Sequence, residues 1–221
     1  MGSLEILAQR HKEAQERPFD RPAARVARAA DAAPSVTLRV RSRIPTVDVA
    51  TNGGFVRGAT YLIHGAPGAG KSTLLAQCAG SIPQSVYVSA EESLDQMSSR
   101  FVRLGYSDQL CAAEHDIDAA LEAIGSAPFA VVDSISRYDQ MLKAADKVVR
   151  HAQRYRNAIA LVCHETKRGR HAGPRKLEHL IDCSLALMID HKGSRVLVTQ
   201  KNRFGPAPVA YELTMTERGL V

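Results

Sequence analysis

The chain of 221 residues has no tryptophan, and its aromatic residues make up only 5% of it. Its core must therefore be built mainly from aliphatic side chains, which the 45% hydrophobic content can supply. Cysteine is scarce as well. Cys78, Cys111, Cys163 and Cys183 stand singly, without a CxxC pair or histidines at ligand spacing. That pattern argues against a disulfide framework and against structural zinc. No stretch approaches the roughly 18–20 consecutive apolar residues of a membrane span, and the N-terminus lacks the apolar segment of a signal peptide. A cytoplasmic protein with no membrane partner and no zinc is expected.

The charges are unevenly placed. Lys and Arg number 29 against 23 Asp and Glu, and 21 of the cations are arginine, the type suited to bidentate phosphate contacts. This permits a nucleic-acid partner without requiring one, because a modest positive balance is often only a solvated surface. Residues 1–43 are rich in Ala, Arg and Pro and carry no apolar period strong enough for a core face. They are expected to form an N-terminal arm: a short helix carrying Leu4, Leu7, His11 and Ala14, then a flexible linker, with 44–221 as the folded core. Within that core, apolar runs over 61–64, 85–89, 129–133, 159–163, 185–189 and 195–200 read as strands, with helical patterns between the earlier ones. The expected fold is α/β with a mostly parallel central sheet, and the turn over 191–194 joins the last two strands as a hairpin.

One segment identifies a ligand. Gly65-Ala66-Pro67-Gly68-Ala69-Gly70-Lys71-Ser72-Thr73 matches G-x-x-x-x-G-K-[ST], follows a strand-like run and opens a helical one. The glycines let backbone N–H groups turn around phosphates, and the helix dipole adds to their field. Lys71 reaches the β- and γ-phosphates, while the Ser72 hydroxyl suits Mg2+. Gly65, Pro67, Gly68, Gly70, Lys71, Ser72 and Thr73 are thus candidates for holding ATP. The run Phe129–Asp133 ends in an acid placed to hold the same Mg2+, so Asp133 joins Ser72 as a metal candidate. Glu91 and Glu92 follow the strand over 85–89. A carboxylate there orients attacking water, yet both are equally suited to the N-terminus of the helix that starts near Ser93. The residues alone allow either reading.

Taken together, the motifs resemble the ATPase core of the bacterial RadA/Sms proteins, members of the RecA superfamily. The likeness runs from Arg43 to Val221. It rests on Gly53-Gly54-Phe55-Val56-Arg57-Gly58, the phosphate loop, Tyr87-Val88-Ser89-Ala90-Glu91-Glu92-Ser93, Val132-Asp133-Ser134-Ile135, His164-Glu165-Thr166-Lys167, Ala172-Gly173-Pro174-Arg175-Lys176-Leu177-Glu178-His179 and, most specifically, Lys201-Asn202-Arg203-Phe204-Gly205. The resemblance implies a RecA-like core over 44–221 with C-terminal hairpin strands, Glu91 as the catalytic base and His164 as the γ-phosphate sensor. It also implies Asp95 and Arg100 near adenine. Read alone, a strand-end histidine is more often structural and a K-x-R on a strand more often a solvated face. The family pattern instead implies that Lys201 and Arg203, alternate residues on one strand face, complete a neighbouring subunit's site.

The segment after His164 carries Lys167, Arg168, Arg170, Arg175 and Lys176 against one acid, and resembles the family's DNA-binding loop. Such cations neutralise phosphates without reading sequence, so single-stranded DNA is the expected partner. The family also has an N-terminal zinc element and a C-terminal Lon-like domain, which this sequence is expected to do without, and its first DNA-facing loop is shortened here to 136–140. Expected assembly is a homo-oligomer, ring or filament, with Phe19 of the arm as an anchor. The leading functional expectation is a DNA-stimulated ATPase, capable of helicase or translocase work, in DNA recombination, repair or branch migration. The alternative is an ATP-switched RecA-like adaptor or regulatory protein that binds another protein.

Overall fold

A computed structural model of the chain describes residues 38–164 and 177–221. The expected helix over residues 4–14, the Phe19 anchor and the five basic-segment candidates, Lys167, Arg168, Arg170, Arg175 and Lys176, lie outside the described residues. Twelve strands and five α-helices follow one another among the described residues: β1 Arg39–Val40, α1 Pro45–Ala50, β2 Phe55–Val56, β3 Thr60–Gly65, α2 Lys71–Ser81, β4 Val86–Ser89, α3 Leu94–Leu104, β5 Leu110–Ala113, α4 Ile117–Ile124, β6 Phe129–Asp133, α5 Met141–Tyr155, β7 Ala158–His164, β8 Cys183–Ile189, β9 Arg195–Asn202, β10 Val209–Leu213, β11 Met215–Thr216 and β12 Gly219–Leu220.

Eight strands form the main sheet in the order β10-β9-β8-β3-β7-β6-β4-β5. The six from β8 to β5 are parallel, and β9 and β10 return antiparallel, as the hairpin turn requires. Two of these strands are not announced by an apolar run. Leu110–Ala113 ends in two alanines, and Val209–Leu213 alternates exposure along the sheet edge, so neither has the continuous hydrophobicity of a central strand.

Both faces of the sheet are covered, and strand parity sorts the side chains between them. Tyr61, Ile63, Phe129, Val131, Ala160 and Val162 point to one core with residues of α1, α2 and α3. Leu62, Ala130, Val132, Ile159 and Leu161 point to a second core with α4 and α5. One cluster concentrates ring area: Phe55 meets Tyr61 edge-on at 4.9 Å and Phe129 at 4.6 Å between centroids.

Helix starts differ in how they satisfy their first N–H groups. Ser93 caps α3 in a capping box with Gln96, and Asp116 caps α4 by accepting from Asp118 and Ala119. At α2 the cap is Gly70, left-handed at φ 105°, with no side-chain cap. The uncapped first turn is the part of the phosphate loop that faces a ligand.

The start of the folded core corrects the boundary placed at residue 43. Arg39 and Val40 pair with Val56 and Phe55, Ser42 is buried, and Arg39 donates to the carbonyls of Thr51, Gly54 and Phe204. Core structure thus begins by residue 38. Replacing Phe55 by Ala removes the ring between both aromatic partners, Tyr61 and Phe129, and is expected to cost about 3–5 kcal/mol. A chemical denaturation midpoint compared with the parent protein measures this.

Candidate functional site

Parallel strands present their carboxyl ends on one side of a sheet, and loops leaving those ends form the ligand crevice. Here β3 delivers the phosphate loop, β7 delivers His164, β6 delivers Asp133 and β4 delivers Glu91 and Glu92. Register keeps them level: Gly65 pairs with His164, and Ser89 pairs with Asp133. Gly65 is obligatory at its position, because a Cβ there would lie 2.1 Å from the Leu187 carbonyl oxygen. By contrast a Cβ on Gly68 would meet nothing within 4 Å, so the loop is open on its ligand side. Lys71 is buried and donates from Nζ to the Gly65 and Ala66 carbonyls at 2.8 and 2.9 Å. It is held over the loop that phosphates would occupy. Pro67, Ser72 and Thr73 lie in the same loop and first helical turn.

The two glutamates separate clearly. Backbone N–H groups of both donate to Ser89 Oγ, at 3.1 and 3.0 Å, which fixes the turn after β4. Glu91 Oε1 then accepts from Ser134 Oγ at 2.6 Å and lies 3.3 Å from His164 Nε2. Glu92 turns the other way, pairing with Arg100. Neither glutamate caps α3, since Ser93 and Gln96 already do so. Burial pushes the Glu92 carboxyl upward, Arg100 opposes this, and the Asp133 and Glu91 carboxylates add to it. Both His164 ring nitrogens are buried and neither makes a hydrogen bond among the described residues, so the Glu91 carboxylate 3.3 Å from Nε2 is the one charged group recorded beside the ring there.

Asp133 is 3% exposed and its Oδ2 accepts from Tyr87 Oη at 2.5 Å. Ser72 and Asp133 offer hard oxygen donors of the kind Mg2+ takes, and among the described residues no cluster of three or more His, Cys, Asp or Glu could hold a metal by itself. The pair fits an ion that keeps water and substrate phosphates as its other ligands. Arg100 is committed to Glu92 and to Tyr87 Oη, which it reaches at 3.4 Å, and Asp95 is an exposed residue in the first turn of α3. The contacts of neither describe a base pocket.

Lys201 and Arg203 lie far from their own loop. Lys201 pairs with Ser184, level with Leu62, and Arg203 follows β9, beside Asp182 at the start of β3. At about 3.3 Å per residue these positions fall roughly 10 and 17 Å short of Gly65 along the strands. Arg203 lies in the turn after β9 rather than on it, which corrects the expectation of two cations on one strand face. Lys201 Nζ donates to the Glu178 and Ile181 carbonyls at 2.5 and 2.6 Å, and Arg203 meets Asp182 at 3.0 Å. Burial and the nearby Arg203 lower the Lys201 pKa. The rest of that motif is structural: Asn202 accepts from Phe204 N–H, and a Cβ on Gly205 would press on Asn52 at 2.5 Å.

Ser134 and Tyr87 are the members of this site that the sequence reading did not assign. A serine directly after a strand-end acid was the available signal for the first. For Tyr87, inside a buried strand, the pattern signals only core.

Comparisons with known proteins identify the family and the fold. The KaiC ATPase family matches residues 40–112. The DNA repair protein RadA of Brucella abortus (strain 2308) is 36% identical over 210 residues, covering 82% of this chain and 44% of that protein. RadA of Rickettsia bellii (strain RML369-C) is 38% identical, covering 83% and 46%, and RadA of Escherichia coli (strain K12) is 37% identical, covering 78% and 42%. The chain thus spans less than half the length of these curated relatives. A KaiC-like protein from Pyrococcus horikoshii OT3 shares the fold, with a TM-score of 0.66 at 21% identity over 83% of this chain and 98% of that one.

Replacing Ser134 by Ala removes the hydroxyl that holds the Glu91 carboxylate. ATP turnover is expected to fall about three- to tenfold, the loss of one charge-assisted hydrogen bond, while nucleotide affinity stays unchanged in a fluorescent-nucleotide titration.

Proposed function

The chain is a homologue of the RadA ATPase core with a RecA-type fold, and from that premise we propose that it hydrolyses ATP with Mg2+, is stimulated by single-stranded DNA, and acts in DNA recombination or repair. The observation that carries this reading is the placement of Glu91. Its carboxylate is held by Ser134 and faces His164 at the end of the strand beside β3, instead of capping a helix. A carboxylate so placed can orient and deprotonate water for in-line attack on a γ-phosphate.

Each remaining residue has a part in the proposed reaction. Lys71 leaves the Gly65 and Ala66 carbonyls for the β- and γ-phosphates. Ser72 and Asp133 hold Mg2+, which supplies charge neutralisation at the phosphates when bound. His164 faces Glu91 and directly precedes in sequence the segment that carries Lys167, Arg168, Arg170, Arg175 and Lys176, and on this reading it links the γ-phosphate to the proposed DNA contacts. Lys201 and Arg203 serve the site of a neighbouring copy. Their positions roughly 10 and 17 Å short of their own loop along the strands, with both cations held by the Glu178 and Ile181 carbonyls and by Asp182, support this.

Two outcomes are expected. Replacing Glu91 by Gln should cut turnover at least 100-fold while ATP binding persists, and the parent protein's rate should rise with single-stranded DNA and fall steeply with salt. Equal rates with and without DNA, across several salt concentrations, would favour the adaptor reading. Mixing the inactive Lys71→Ala and Lys201→Ala proteins should restore part of the activity, since some interfaces then pair an intact loop with an intact lysine. A mixture as inactive as either variant contradicts completion by a neighbour.

A further inference from the structure

A hydrogen-bonded chain leads away from the site into the buried layer beneath α3. Glu92 holds the Arg100 guanidinium, Arg100 Nη1 lies 3.4 Å from Tyr87 Oη, and Tyr87 donates at 2.5 Å to Asp133 Oδ2. Tyr87 has no solvent exposure and is packed edge-on against Phe101, with centroids 5.3 Å apart. The phenol therefore has one orientation. Its proton roles are also fixed: a tyrosine that accepts from a guanidinium has its single O–H left to give, and a carboxylate is the group that takes it.

We propose that Tyr87 and Arg100, anchored by Glu92, are positioning residues that set the orientation of the Asp133 carboxylate for the divalent metal. With Oδ2 accepting from the phenol, the Asp133 carboxylate is held against rotation. A carboxylate fixed in this way loses less freedom when the ion binds, and outer partners of metal-holding residues typically contribute 10–100-fold in metal affinity. The chain also gives the two adjacent glutamates separate tasks. Glu91 belongs to the water, whereas Glu92 belongs, through Arg100 and Tyr87, to the metal-holding acid on the adjacent strand. Arg100 is thereby assigned to the phosphate end of the site instead of to adenine. The inference rests on the reading of Asp133 as a metal holder.

Binding of Mn2+ to the protein with a non-hydrolysable ATP analogue, followed by electron paramagnetic resonance, separates the two claims. Tyr87→Phe keeps the ring that packs on Phe101 and removes only the hydroxyl, and Arg100→Gln removes the cation while Tyr87 stays in place. Each is expected to weaken Mn2+ about tenfold, with nucleotide affinity in EDTA and the thermal melting curve close to those of the parent protein. Parent-like Mn2+ affinity in either variant overturns the relay. Should Asp133→Asn also bind Mn2+ like the parent, the assignment of Asp133 itself fails, a result distinct from failure of the relay alone.

Discussion

Side chains that meet around the phosphate loop come from four places in the sequence, and parallel strand register is what holds them level. Gly65 stands opposite His164, and Ser89 stands opposite Asp133, so the ends of β3, β7, β6 and β4 reach one edge together. A shift of one residue in either pairing would turn each side chain to the opposite face. The two cores prevent that shift, because Tyr61 and Ile63 fill one layer and Leu62 the other. Catalytic geometry here is thus a consequence of where apolar residues alternate in buried strands.

The same sheet explains why one set of cations is separated from the chain's own loop. β9 runs antiparallel to β8, so the strand that carries Lys201 ends where β3 begins. Under the proposed function, this direction reversal is what makes hydrolysis depend on a second copy: β9 carries the cations away from the loop, toward the opposite end of the sheet. Within one chain they hold the Glu178 and Ile181 carbonyls and the Asp182 carboxylate.

Much of this was legible in the sequence, for reasons that can be stated residue by residue. The phosphate loop is encoded by local geometry, so Gly65 to Thr73 need no tertiary information. Asp133 ends an apolar run, and strand ends are where such acids act. Glu91 and Glu92 remained ambiguous because a helix start and a catalytic position ask for the same charge. Only the Ser134 hydroxyl and the Arg100 guanidinium separate them, and both come from other elements. Tyr87 was hidden because a tyrosine in a strand reads as core, and its hydroxyl partner lies 46 residues away. The boundary at residue 43 was late because Arg39 and Val40 pair with a two-residue strand too short to show a period.

The account's central claim is that a loop, base and metal holder in one chain are completed by cations from another. The specific ATPase rate, measured with single-stranded DNA present over a hundredfold range of protein concentration, tests it most directly. The account predicts that the rate per chain rises with concentration and then levels off as copies associate. A rate per chain that stays constant down to the most dilute sample would contradict it.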